Sequence, residues 1–163
     1  LHPVAILLTH GHFDHVMAVD SVRAAYHIPV YAAEAEKETM HDASINLSIN
    51  MGGAMLSIEA DHWLKDGETI TLLDQEVRCI LTPGHTVGGM CFYFPKAGML
   101  FSGDTLFQES VGRTDFPGGS MSEIVRSIRE KLFVLPDAVQ VYPGHGLMTS
   151  IKNEKMFNPF AVE

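Results

Sequence analysis

The stretch LLTHGHFDH, residues 7–15, decides how the chain is read. An apolar run gives out at Thr9, and His10, His12, Asp14 and His15 follow at once. A loop that needed only solvation would be served by any polar side chain. Imidazole and carboxylate groups at H-x-H-x-D-H spacing instead suit coordination of Zn, Fe or Mn.

The arrangement recurs along the chain. LTPGHT sets His85 behind the apolar strand 77–81, LFSGDT sets Asp104 behind 99–102, and VYPGHG sets His145 behind 139–142. Each time a strand ends, a glycine (Gly84, Gly103, Gly144) lets the backbone come close, and one ligand type stands beside it. Strand ends along one edge of a sheet are where open α/β folds build their sites. The candidates are therefore His10, His12, Asp14, His15, His85, Asp104 and His145. Seven donors are too many for one tetrahedral ion and suit two ions sharing a bridge, for which the carboxylate of Asp104 is the natural choice. His2, His27, His41 and His62 fall outside this pattern and read as surface or packed histidines. His27 also stands at an expected helix C-terminus, where a cation is favoured.

Periodicity supplies the frame. Residues 4–9 read as a short buried strand bounded by Pro3 and Gly11. Residues 14–27 carry helical spacing, with Val16, Val19, Val22 and Ala25/Tyr26 on one face, and 28–32 form the next strand. That is a βαβ unit and implies a parallel pair. Residues 33–42 read as a helix exposing Glu34, Glu36, Lys37 and Glu38, and 44–55 as a loop with a helical turn. A hairpin is expected over 68–73 and 77–81, joined through DQE, and a second antiparallel pair over 90–94 and 99–102. Residues 120–132 give a helix that opens on the capping box SMSE and buries Ile124, Ile128 and Leu132. Residues 139–142 are the last strand. Helix-linked and hairpin-linked strands together place the chain in the mixed α/β class.

Bulk properties narrow the partners. At 163 residues, 46% hydrophobic and 19% charged, the chain is long enough for one domain with a sizeable core. A net charge of −9 without a Lys/Arg run argues against nucleic acid or an anionic membrane. Apolar runs are far shorter than a membrane span, and no export signal is visible. Cys79 and Cys91 form no C-x-x-C pair and sit in strand-like surroundings, as buried free thiols do in a reducing cytoplasm.

The motifs THGHFDH, LTPGHT, FSGDTLF, VGRTDFPGGS and VYPGHG together resemble the metallo-β-lactamase superfamily over nearly the whole chain. GDTLF followed by GRTDFPGG, and ADHWLKDGETI ahead of the hairpin, resemble its glyoxalase II-like branch, especially the short bacterial members. The resemblance implies an αβ/βα sandwich with its metals on one edge. His10, His12 and His85 would hold a first ion, Asp14, His15 and His145 a second, and Asp104 would bridge them. Two divalent ions, Zn above Fe or Mn, are implied. The reaction implied is hydrolysis of a hydroxyacylglutathione-type thioester by a bridging hydroxide, with Asp14 and Asp104 the carboxylates closest to the chemistry, both as ligands. The family also has further strands ahead of its first motif. Residues 1–163 thus read as one domain lacking its N-terminal strands, completed by a homo-oligomer or a strand-supplying partner, or cut short beforehand.

Three rivals stay open. Persulfide dioxygenases share a GRTDF-like segment and use one iron held by two histidines and an aspartate. Lactonases and other ester hydrolases differ only in substrate. A domain that needs a partner before it turns over is the third. Arg113 and Asp115 read as an ion pair fixing a glycine-rich loop, or else as a clamp for a substrate carboxylate. Asn46 and Asn50 are candidates for the mouth of the site, with Met40, Met51 and Met55 as its apolar wall. The basic residues of the last stretch, Lys152 and Lys155, give little support for dedicated glutathione recognition.

Overall fold

The computed structural model describes residues 1–161, apart from the side chains at 51 and 52. Three short strands, β1 (Ile6–Leu7), β2 (Val30–Ala33) and β3 (His62–Leu64), form a parallel sheet in that order. The helical spacing between β1 and β2 is what makes the pair parallel, since a crossover has to carry the chain back. A second sheet is built from β4 (Thr69–Leu72), β5 (Gln75–Leu81), β6 (Met90–Phe94) and β7 (Met99–Gly103). A ribbon of β8 (Leu106–Phe107) and β9 (Ser110–Val111) stands beside it. Then β10 (Gln140–Pro143) and β11 (Thr149–Ser150) complete the six-stranded order β11-β10-β7-β6-β5-β4. Only β10 and β7 run parallel in this sheet.

The period-2 alternation of β6 shows how the layers stack. Cys91 and Tyr93 face a cluster with Ile124, Ile128, Leu132 and Ile151, contributed by α4 (Met121–Ser127), the π-helical turn Ile128–Leu132 and α5 (Ile151–Phe157). Met90 and Phe92 face the other way, onto Ala33 and Leu64 of the small sheet. The far side of the small sheet buries Val30 and Ala32 against Val16, Val19 and Met40. Those three belong to α1 (Phe13–Val16), α2 (Val19–Tyr26) and α3 (Lys37–His41). The result is helix, sheet, sheet, helix: the αβ/βα sandwich. No helix among the described residues is long and apolar enough to cross a membrane.

Several expectations need correction. The strand over 4–9 shrinks to Ile6–Leu7 at the edge of its sheet, and Val4 is exposed. The helix over 14–27 breaks at Met17–Ala18, and Ala25 and Tyr26 face solvent, because only Val16 and Val19 reach the core. His27 ends α2 in the left-handed conformation with φ of 53°. The helix over 33–42 is a 3-10 turn Glu34–Glu36 running into α3, and Glu36 is buried rather than exposed. The first hairpin turns at Leu73–Asp74, both at positive φ, and not through DQE. In the SMSE box, Ser120 Oγ accepts the Glu123 N–H as expected. The Ser120 N–H donates to the Gly84 carbonyl instead, and Glu123 pairs with Arg126. The strand β3, the ribbon and α5 had no sequence expectation.

Candidate metal centre

Four loops, each behind a strand, converge at one edge of the sandwich. His10, His12, Asp14 and His15 occupy the turn from β1 into α1. Two backbone bonds anchor that turn: Met90 N–H donates to the Thr9 carbonyl, and Phe13 N–H to that of Asn46. His85 stands in the loop between β5 and β6, and Asp104 follows β7. Thr82 and Thr105 join those two loops by a hydroxyl–hydroxyl bond of 2.8 Å. His145 follows β10, drawn in by the Gly144 N–H on the Gly103 carbonyl. A Cβ at Gly144 would collide with Asp104 Oδ1 and sit 2.8 Å from His15 Cε1, so glycine is what allows this loop its approach.

All seven candidates come together. His10, His12 and His85 form one compact trio and Asp14, His15 and His145 another, while His10, His15 and Asp104 also lie within ligand range of one another. His12 Nδ1 is 2.9 Å from His85 Nε2, and His15 Nε2 is 3.2 Å from His145 Nε2. Asp104 Oδ2 lies 3.6 Å from both His85 Nε2 and His145 Nε2, and its Oδ1 lies 3.5 Å from His15 Nε2. Asp14 Oδ2 is 3.2 Å from His145 and 3.6 Å from His15.

Burial favours the neutral form at His10, His12 and His15. Burial, followed by the neighbouring imidazoles, pulls His10 well below its ordinary value. Burial, then His85, pulls His12 down to about 4. Burial also lowers His15, against the pull of Asp104, and raises Asp104 despite the imidazoles around it. His85 Nδ1 donates to the Arg113 carbonyl at 2.8 Å, which fixes the ring with Nε2 facing His12. His10 Nε2, His12 Nε2 and Asp104 Oδ1 are buried with no hydrogen-bond partner. Buried polar atoms are nearly always paired. Several orphans in one cage of imidazole nitrogens and a carboxylate fit a divalent cation.

A cavity of about 270 Å³ opens over the cluster, lined by Phe13, Leu47, Arg113 and Phe116 as well as by His12, Asp14, His85, Asp104 and His145. A larger open groove between α3 and the 43–57 loop holds none of the seven. Arg113 forms a two-pronged bond to Asp115, 2.7 Å on each prong, and lies 3.9 Å from the Phe116 ring centre. Asp115 is held down to about 2 by that bond. The ion-pair reading of these two residues therefore describes the loop.

Other candidates fall elsewhere. Asn46 is fully buried and ties its own loop to Leu56 and Ser48, while Leu47, at φ of 68°, lines the cavity. Asn50 is exposed, Met40 is core, and Met55 is on the surface; the side chain of Met51 is outside the described residues. His41 pairs with Glu59, His62 stacks on Tyr31, and His2 and His27 are exposed; none of the four belongs to the cluster. Lys152 is exposed and Lys155 pairs with Asp137. Cys79 and Cys91 are buried free thiols, pushed by burial up to about 11. Sequence reasoning missed Phe13, Leu47 and Phe116 as cavity walls. Phe13 and Phe116 lie inside quoted motifs, but nothing in a motif says which way a side chain faces.

Residues 1–145 match the metallo-beta-lactamase superfamily, and the chain belongs to it. It is 41% identical over 161 residues to a probable metallo-hydrolase of Bacillus subtilis, YqgX, covering 98% of this chain and 76% of the relative. It is 34% identical over 159 residues to the hydroxyacylglutathione hydrolase GloC of Haemophilus influenzae, at 95% and 74% coverage. Among solved structures it resembles the B3 metallo-beta-lactamase BLEG-1, with a TM-score of 0.94 and 41% identity over 100% of this chain and 79% of that one. It also resembles TTHA1623 in a di-iron-bound form, with a TM-score of 0.85 and 36% identity over 98% and 78%.

Proposed function

We propose that this protein is a metal-dependent hydrolase that cleaves a small thioester of the hydroxyacylglutathione type at a two-metal site. The observation that carries the reading is Asp104, whose Oδ2 lies 3.6 Å from a histidine of each trio. His10, His12 and His85 would hold one ion, Asp14, His15 and His145 the other, with Asp104 between them. Zn is the expected metal, though the di-iron form of TTHA1623 keeps iron open. Two bound divalent ions supply Lewis acidity and lower the pKa of water toward ~7.

The chain's own residues do the rest. His85, fixed by the Arg113 carbonyl, presents one defined nitrogen. Phe13, Leu47 and Phe116 keep water off one wall of the cavity and offer an apolar face to the acyl group. Arg113 sits at the wall with its charge already balanced by Asp115, so it orients the loop rather than claiming a substrate carboxylate. The choice of a thioester rests on the GRTDFPGG resemblance and the likeness to GloC. The charge of −9 supports a small-molecule substrate, and we read the enzyme as cytoplasmic.

The likeness to BLEG-1 makes a β-lactam the second substrate class to test. Metal-replete protein is assayed on S-lactoylglutathione, on a chromogenic β-lactam and on a γ-lactone, with Asp104→Ala as control. The thioester is expected to give the highest kcat/KM, lost in the variant. Turnover of the β-lactam alone would replace the substrate class. Oxygen uptake on glutathione persulfide with one iron per chain would overturn the two-metal hydrolase itself.

A further inference from the structure

Glu36 is a buried carboxylate that the hydrolytic chemistry does not use. It is 1% exposed and sits in the 3-10 turn that follows β2. Its Oε1 accepts the Gly11 N–H at 2.9 Å. Its Oε2 accepts the Thr86 hydroxyl at 2.9 Å and the Gly88 N–H at 2.7 Å. Gly11 stands between His10 and His12, while Thr86 and Gly88 follow His85. One side chain thus grips both loops that supply the buried trio.

The fit is close on both sides. A Cβ at Gly11 would meet Met40 Cγ at 2.8 Å, and one at Gly88 would collide with the Glu36 backbone nitrogen. The two amides can only donate, and Thr86 donates to the same carboxylate oxygen as Gly88. The site therefore asks for an acceptor with two equivalent oxygens. A glutamine of the same shape would turn an NH₂ group against an N–H donor. Leaving a buried donor unpaired costs more than the bond itself contributes. From the turn after β2, Glu36 reaches the His85 loop across 50 residues of sequence to Thr86 and 52 to Gly88.

We propose that Glu36 is a positioning residue: its carboxylate sets the distance between the His10–His12 turn and the His85 loop, and so the shape and affinity of the buried metal site. The proposal rests on the two-metal reading for its effect on metal, but not for the clamp itself. Partners that fix metal ligands from behind are worth about 10–100-fold in metal affinity.

The test uses wild type, Glu36→Gln and the milder Thr86→Val, which removes a single donor. In the metal-free proteins, amide exchange is followed at Gly11 and Gly88 by NMR. Co(II) affinity and the visible Co(II) spectrum are then measured by titration against a chelator. In Glu36→Gln, exchange at Gly11 and Gly88 is expected to quicken together, while the Phe92 amide in the large sheet stays protected. The tighter Co(II) site is expected to weaken by about 10–100-fold, with a shifted visible spectrum. Thr86→Val should change the same readouts in the same direction by less. Unchanged exchange and an unchanged spectrum in a folded Glu36→Gln protein would overturn the proposal. If Glu36→Gln fails to fold, an unaltered Thr86→Val overturns it, and a weakened, spectrally shifted Thr86→Val upholds it. Wild-type protein that binds no Co(II) would sink the two-metal reading, and the exchange data would still decide the clamp.

Discussion

The two trios of one cluster are built on different terms. His10, His12 and His85 are 2%, 3% and 4% exposed, whereas the side chains of Asp14 and His145 are 40% and 57% exposed. Both draw on the H-x-H-x-D-H turn, yet its first half, His10 to His12, is buried while Asp14 is exposed. The inner trio is all imidazole, stripped of water, with two of its rings biased toward the neutral form. An ion entering it would displace few protons. The outer trio brings a carboxylate and an exposed histidine to the cavity mouth, where water competes for every ligand. On the two-ion reading, the inner trio would hold its ion more tightly than the outer one, and Asp104 is the only described carboxylate within 3.6 Å of a histidine of each group.

The largest effect should come from removing what the two trios share. Asp104→Ala is expected to lower kcat/KM by roughly a thousand-fold, the rate equivalent of several kcal/mol of Lewis-acid stabilisation. Steady-state kinetics on whichever substrate proves best would check it; a loss below tenfold would mean that the trios work separately. Next comes the asymmetry itself. After dialysis against chelator, His12→Ala should retain no tightly held metal, whereas His145→Ala should keep one equivalent, as read by elemental analysis. Equal losses in both variants would erase the distinction between inner and outer sites.

A third probe compares neighbouring glycines. Gly144→Ala forces its Cβ onto Asp104 and His15, while Gly146, at φ of 80°, has nothing within 4 Å of an added Cβ. Misplaced ligands should cost Gly144→Ala about a hundred-fold in kcat. Gly146→Ala should cost only stability, about 1 kcal/mol of backbone strain seen in urea melts. The smallest effect is acid sensitivity without metal. His12 sits at about 4 in the fold against an ordinary 6.5. Between those values the unfolded chain binds the proton first, so the metal-free protein should lose stability as pH falls from 6.5 toward 4. Thermal melts in chelator at pH 5 and pH 7 would show a lower Tm at pH 5, with the gap narrowed in His12→Gln. A pH-independent Tm would argue that the inner trio is not stripped of water in the free protein.

Much of this was legible in the chain. The seven candidate donors, the parallel βαβ opening, the antiparallel pairs and the buried stripe of Ile124, Ile128 and Leu132 follow from spacing, because a strand alternates and a helix repeats along a few residues. Boundaries read less well. The 4–9 strand shortens and the 14–27 helix breaks, since burial rather than propensity decides how far each runs.

The chain alone carries the chemistry: which side chains can bind a metal, and that each stands where a strand ends. Their grouping comes from packing. By its neighbours Glu34, Lys37 and Glu38, Glu36 reads as one more exposed charged residue, yet it lies buried against Gly11, Thr86 and Gly88, across 25, 50 and 52 residues. Likewise, no local pattern says that His10 and His12 are sealed while Asp14 meets solvent. Such contacts are made by the packing of two sheets, and no short-range period in a sequence carries them.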